Sequence, residues 1–557
     1  MQNQERCAWI VVLLGSVAVT CVMFHFMKSV TGSFLPAVLP EIETDAIYYL
    51  VQVQEVLDGH PMLGNPYIIE HVGDRFPGLI LPIWIAALPG FLGMGINAVF
   101  AVNALLYSLL LGSLLFMICN KLNNKRVWVS AGIAILGTAS LHNLMIRPAI
   151  MQIVYPAFAL FTLALIQVLD APKEKKPYVY LWLTTALSFY VYPYLWMITF
   201  TTVGLLGIMF LSQRNRQACK NLAITSLGIA IVCIPQIVLT AYLMSDPLGQ
   251  ELHARIGLVH THLIHPNAIL FAKYTILIVI GLSMLRMLRG LQNAERVVLL
   301  IAVALLIATF SNVITGKEMH FDTHFWRIGM FVSIIAVPVF WEAARRSSVQ
   351  RTVAIVCLAA LLLTIVNRVA IRAGAYAYLK QQEITRQRER DIQEYTAVFA
   401  YFNNEHIEDK VIMTTSSLSP YIPLYTKNYI FFYGPARSNM ISNAELLDRF
   451  LLQYIDFIDA QYIVDNMVSY IGWQPEREAA LRRAYGETIQ PIDILGGTDY
   501  IDALLTRKNE MERSYDALLG AYRLDYVVID ALSKENPRVP AGSKELYRTD
   551  RFTIYAL

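Results

Sequence analysis

Carboxylates crowd one polar stretch of this chain of 557 residues. Residues 39–78 hold seven carboxylates, two histidines, one arginine and four prolines between apolar segments. At their centre stands Glu43-Thr44-Asp45, placed where a helix should begin. Thr44 or Asp45 is the expected N-cap, and Ile47, Leu50, Val51 and Leu57 recur on one helical face until Gly59 stops it. The unpaired amides of a helix N-terminus favour an ionised carboxylate. Such a group, just past an apolar segment, suits a general base or a ligand for a divalent ion such as Mg or Mn. The plainer role for the same residues is capping and solvation. Residues 58–77, with His60, His71, Asp74 and Arg75, are expected to shape the surrounding cavity.

Three later polar segments carry further chemistry. His142 to Arg147 closes one apolar stretch, and 245–266 gathers Asp246, Glu251, Arg255 and His253, His260, His262 and His265. Residues 315–327 place Lys317, His320, His324 and Arg327 beside Phe325 and Trp326. Guanidinium and ammonium groups at a membrane surface suit a phosphate or pyrophosphate, because charge-assisted bonds strengthen away from bulk water. Arg327 is the leading candidate for that phosphate, with Lys317, His324 and Arg147 behind it. Arg255 and His320 stand with the second-rank cavity residues. Interfacial anchoring is the plainer role for these charges.

The elements that must position these residues are membrane helices. The chain is 56% hydrophobic and only 16% charged, with a mean hydropathy of +0.47, whereas soluble domains carry about 25% charged residues. A net charge of +3, scattered along the chain, gives no case for nucleic acid. Eleven apolar stretches approach the ~20 residues that a crossing needs. They run over 8–27, 96–119, 127–145, 149–169, 178–191, 194–212, 221–244, 267–285, 297–314, 328–343 and 352–370. The first is longer than a cleavable signal's apolar core and reads as a retained anchor. Residues 79–94 are interrupted by Pro82, Pro89 and Gly90 and read as an interfacial helix, with a crossing as the alternative.

Basic residues recur on alternate connections: Lys121, Lys125 and Arg126; Lys173, Lys175 and Lys176; Arg214, Arg216 and Lys220; Arg286, Arg289 and Arg296; Arg345, Arg346 and Arg351. That alternation puts the N-terminus inside and the C-terminal region outside. Every histidine except His25 and His406 then falls in or beside an outer loop, His25 at the outer end of the first span and His406 in the outer tail. The six cysteines lie in or beside apolar segments, and none follows residue 357, so the tail has no disulfide framework.

Past residue 370 the composition changes. A charged amphipathic helix over 375–404 buries Ile392, Tyr395, Phe399 and Phe402. Strand-like runs follow at 411–414, 429–433, 462–464, 526–529 and 552–556, with helices between them, one opening at Ser442 with Glu445 three residues on. The fold expected is a polytopic α-helical membrane protein: a domain over 1–372 with outer loop 28–95, a linking helix over 373–404, and an extracytoplasmic α/β domain over 405–557. The tail shows no glycine-rich phosphate loop and no GxSxG, so a structural or acceptor-binding role is expected there.

The layout resembles the GT-C superfamily of integral-membrane glycosyltransferases. The resemblance rests on a first span with a long outer loop, the Glu43-Thr44-Asp45 motif near that loop's start, many further spans, and a soluble C-terminal domain on the same side. The segments TDAIYYLVQVQEVLDGHPMLGNPYIIEH and ITGKEMHFDTHFWR carry it most closely and resemble uncharacterised bacterial members. It implies a bacterial inner-membrane enzyme taking a sugar from a polyprenyl phosphate or pyrophosphate and passing it to a glycan, lipid or protein acceptor. Asp45 would be the base, with Glu43 assisting or coordinating a metal, and Arg327 would hold the donor phosphate. The Asp-Glu pair of protein mannosyltransferases and the WWDYG motif of oligosaccharyltransferases are absent, so neither subfamily is assigned. A lipid-linked oligosaccharide polymerase or ligase, a flippase, and a non-catalytic scaffold are the competing readings.

Overall fold

A computed structural model describes residues 2–31, 43–145, 147–318, 323–345, 348–381 and 383–557. Its long helices follow the apolar runs: α1 Gln2–Thr31, α2 Glu43–Leu57, α3 Ile80–Ala87, α4 Ile96–Leu122, α5 Val127–Met145, α6 Met151–Asp170, α7 Lys176–Val191, α8 Pro193–Ser212 and α9 Arg216–Ser245. There follow α10 Pro247–Arg255, α11 Pro266–Arg289, α12 Asn293–Thr309, the short α13 Asn312–Thr315, α14 Thr323–Ala343, α15 Ser348–Gln381 and α16 Glu383–Asn404. Among the described residues, eight helices are long and apolar enough to cross a membrane. The stretches at 127–145, 178–191 and 297–314 are helical as well, but fall short of that length or hydropathy. The most deeply packed are α6 and α14, with 89% and 78% of their apolar windows buried, against 22% for α9 and α15. The bundle is therefore built around α6 and α14, with α9 and α15 at its outside.

The Tyr192-Pro193 break is a sharp turn rather than a kink. Tyr192 is extended, and Pro193 opens α8 at the position where its missing N–H costs nothing. The two helices then run back along each other: Ser188 Oγ meets Thr199 Oγ1 at 2.6 Å, and Phe189 stacks on Phe200. Helix α3, eight residues long, reaches only about 12 Å and cannot span. It exposes Trp84 and Leu88, and the turn after it exposes Phe91 and Leu92.

Two sets of contacts mark the ends of the bundle. Arg126 pairs with Glu342 at 3.4 Å, Asn293 donates to Leu169 O, and Asn221 donates to Lys173 O. These bonds knit together connections that carry the basic residues. At the other end α2, α10 and the strands β1 (Val259–His260) and β2 (Lys317–Glu318) meet the C-terminal region.

That region holds a five-stranded sheet of β3 Val411–Met413, β4 Tyr429–Ile430, β5 Tyr526–Asp530, β6 Lys544–Arg548 and β7 Phe552–Ala556, in the order β4-β3-β5-β7-β6. The first three strands are parallel, and β7 runs antiparallel to both β5 and β6. The expected strand at 462–464 is instead part of a helix, Ala460–Asp465. Asp459 caps it by accepting from Tyr462 N at 2.7 Å, and the Tyr462 ring stacks on Phe450. Strand β6 was not expected: its Lys-Glu-Leu-Tyr-Arg sequence lies on an exposed sheet edge and shows no apolar alternation. Ser442 does cap α17 (Asn443–Gln453), accepting from Glu445 N. Arg551 ties the sheet to α16 through Asp391 and Glu394.

The first loop and the C-terminal region share one apolar core. Ile47, Leu50 and Val51 of α2 and Tyr67 and Ile68 of the loop pack with Ile430, Phe431 and Tyr395. Ile430 N donates to Tyr67 O at 2.9 Å, so the loop covers the edge of β4. Gly64 makes the loop's tight passage: at φ +72°, a Cβ there would stand 2.0 Å from Val72 O.

Candidate functional site

Helix α2 begins at Glu43, so Glu43-Thr44-Asp45 forms its opening turn rather than its cap. The side chains of these three residues, and residues 319–322 with His320, lie outside the described atoms. Two acidic residues in a first turn still meet the favourable end of the helix dipole. One turn further on, Tyr48 and Tyr49 leave α2 half-buried.

Below α2, four elements converge on a group of arginines and aromatic rings. The α7–α8 turn brings Tyr192 and Tyr194, the start of α14 brings His324, Phe325 and Arg327, the α5–α6 connection brings Arg147, and α15 brings Arg368 near the end of its apolar stretch. Tyr192 hydrogen-bonds His324 Nδ1, and Tyr192 and Tyr194 both pack on the His324 ring. Tyr155 of α6 donates to Arg327 O at 3.2 Å. Arg327 and Arg147 lie within electrostatic range of both the Tyr155 and Tyr192 hydroxyls, and Arg368 of Tyr155. The Arg368 guanidinium stacks 4.0 Å over Trp326. Tyr49 of α2 lies within the same range of Tyr192, which places the helix that starts with Glu43 beside this group.

Two features point to an anionic, polar ligand. Arg327 Nη1 is buried and makes no hydrogen bond among the described residues. Gln152, one turn before Tyr155 on α6, is fully buried with neither carboxamide atom bonded among them. Buried polar groups are paired in the great majority of cases, so such atoms ask for a partner. A phosphate oxygen would satisfy the guanidinium, and a sugar hydroxyl the amide. Sequence reasoning missed Gln152 and Arg368. The signal for both was a lone polar residue at the end of an otherwise apolar run.

The other sequence candidates sit elsewhere. Lys317 is exposed on β2, paired with His260 across two short strands. Arg255 is 1% exposed and reaches into the C-terminal region, donating to Arg437 O, Asn439 O and Asn443 Oδ1. Close approach there is essential, since a Cβ on Gly472 would stand 2.2 Å from Arg255 O. Arg75 stacks 3.7 Å over Tyr242. His71 bridges Asp74 at 2.6 Å and Glu445 at 2.9 Å; the bond to Glu445 raises its pKa above the ordinary histidine range.

His60 bonds Glu55 at 2.7 Å. Burial pushes the Glu55 carboxyl up to about 7, with His60 pulling the other way. Asp58 is also raised by burial. His60, His71, Asp74, Arg75 and Arg255 therefore fasten loops to their neighbours. Among the described residues, no three His, Cys, Asp or Glu side chains are grouped as a metal site. An apolar cleft of about 650 Å³ between α7, α8 and α9, lined by Phe200, Gly204, Gly207 and Ile229, shares no residue with the arginine group.

Comparison of the chain with protein-family models and with curated proteins returns no match.

Proposed function

We propose that this chain is a GT-C-type glycosyltransferase that moves a sugar from a polyprenyl phosphate or pyrophosphate to an acceptor hydroxyl at the outer face of the membrane. The observation that carries the reading is the convergence of Arg147, Arg327 and Arg368 with Tyr155 and Tyr192 beneath α2. A lipid-linked donor has an apolar tail and a charged head, and this group lies at the end of an apolar bundle. Asp45 takes the proton of the acceptor hydroxyl, and that oxygen bonds to the anomeric carbon of the donor. The bond from that carbon to the phosphate oxygen breaks, and the electron pair leaves with the phosphate. Arg327 stabilises the charge that collects there. Glu43 supports Asp45, and the pair are the residues that would hold a Mg or Mn ion. Arg368 lies near the end of the apolar stretch of α15, which runs from Gln350 to Ile371, rather than at that stretch's middle, where a transporter would carry its charge.

The test is transfer of labelled sugar from synthetic polyprenyl-phosphate sugars by the purified full chain. Asp45→Asn is expected to lower turnover about 10²–10⁴-fold with an unchanged melting temperature. Full activity in that variant removes Asp45 from the mechanism.

A further inference from the structure

A second concentration of buried polar groups lies outside the arginine group, where α2 and the first loop meet the C-terminal region. Tyr67 is fully buried, and its hydroxyl makes no hydrogen bond among the described residues. It lies within electrostatic range of the Tyr48 and Tyr433 hydroxyls and of the Arg437 guanidinium. The rings of Tyr48 and Tyr433 flank Tyr67 at 6.4 and 5.3 Å, and both reach the surface. Arg437 stacks 4.0 Å over the half-buried Trp473. Two residues on from Arg437, Asn439 is fully buried with both side-chain polar atoms unbonded among the described residues.

Aromatic faces beside several unsatisfied donors and acceptors match one ligand chemistry in particular. A sugar ring offers C–H faces for Tyr and Trp to stack on, and hydroxyls for a phenol and a carboxamide to bond. A purely apolar partner would leave the Tyr67 and Asn439 groups unpaired, at the cost of their desolvation. From Tyr67 the aromatic row continues through Tyr48 to Tyr49, and Tyr49 stands within range of Tyr192 in the arginine group.

We infer that this junction is a carbohydrate subsite that holds the acceptor glycan while its terminal hydroxyl is presented beneath α2. The inference rests on the proposed transferase reading for the role of the glycan, but its binding is measured separately. Tyr433 and Trp473 stack on the sugar rings; Tyr67 and Asn439 bond their hydroxyls.

The experiment is binding of the detergent-solubilised full chain to an array of defined bacterial-envelope oligosaccharides, with hits measured in solution by titration. Wild type is expected to bind a subset, Tyr433→Ala to lose about tenfold or more in affinity, and Arg327→Ala to bind as wild type. Tyr67→Phe is expected to bind more weakly while melting no lower than wild type without glycan, because it removes a buried hydroxyl that lacks a partner. Failure of wild type to bind any glycan overturns the subsite, as does equal binding by Tyr433→Ala and Tyr67→Phe; ordered water would then be the partner of Tyr67. Glycan binding without any binding of polyprenyl-phosphate sugar would overturn the donor reading and leave the subsite standing.

Discussion

Replacing Arg449 by methionine probes how firmly the first loop is fastened to the C-terminal region. Arg449 is fully buried on α17. Its Nε bonds Glu445 at 2.9 Å, its Nη1 donates to Phe431 O, and its Nη2 makes an ion contact, off hydrogen-bond alignment, with Glu70 at 3.0 Å. The guanidinium also stacks 4.5 Å over Tyr522. Removing one partner of a buried pair costs about 3–5 kcal/mol. Here the Glu70 and Glu445 side chains are 32% and 21% exposed, and Glu445 keeps His71, so water and the histidine recover part of the loss. That leaves about 2–3 kcal/mol, or roughly 5–10 °C for a unit of this size. Melting followed by intrinsic fluorescence reads the loss, and limited proteolysis locates it, with cleavage expected within 59–78 before the helical bundle unfolds. Adding Glu70→Gln to Arg449→Met should cost less than the sum of the two changes. A melting temperature within about 1 °C of wild type, with an equally protected loop, would refute the reasoning.

Glu55→Gln should change the pH dependence of the same junction. The folded chain holds the Glu55 proton up to about pH 7, whereas the unfolded chain releases it near 4.5. The stability this contributes is full below the lower value and is lost as pH rises through the upper one. The variant should therefore flatten the fall in melting temperature between those values, by the equivalent of about 3 kcal/mol; parallel pH curves would remove Glu55 from the account. A periplasmic reporter such as alkaline phosphatase should be active after residue 557 and inactive in the α4–α5 connection near Asn124, and the reverse would invert the proposed orientation.

Much of the helical portion was legible because long apolar runs of this length form helices that pack together, whatever their surroundings. The 127–145 stretch matches α5 residue for residue. The Tyr192-Pro193 turn was ambiguous because a proline permits either a kink or a new helix start, and only the Ser188–Thr199 and Phe189–Phe200 contacts decide it. Tyr462 looked like strand because aromatic and β-branched residues favour strands, but the Asp459 cap and the stacked aromatic core override that preference. The roles of His71, Arg75 and Arg255 were illegible for a different reason. Their partners Glu445, Tyr242 and Asn443 lie far away in sequence, and charge alone does not distinguish a ligand from a fastening. Arg327 and His324 were singled out from their residue types beside an apolar run, whereas Gln152 and Arg368 drew notice only when α6, α14 and α15 came together.

The most direct test of the proposed donor site is a cryo-EM reconstruction of the full chain with a bound polyprenyl-phosphate sugar. The expected result is phosphate density within hydrogen-bond distance of Arg327 Nη1, with the opening turn of α2 facing the anomeric carbon. Phosphate density at Lys317, or a donor lodged in the apolar cleft between α7, α8 and α9 with Arg327 untouched, would contradict it.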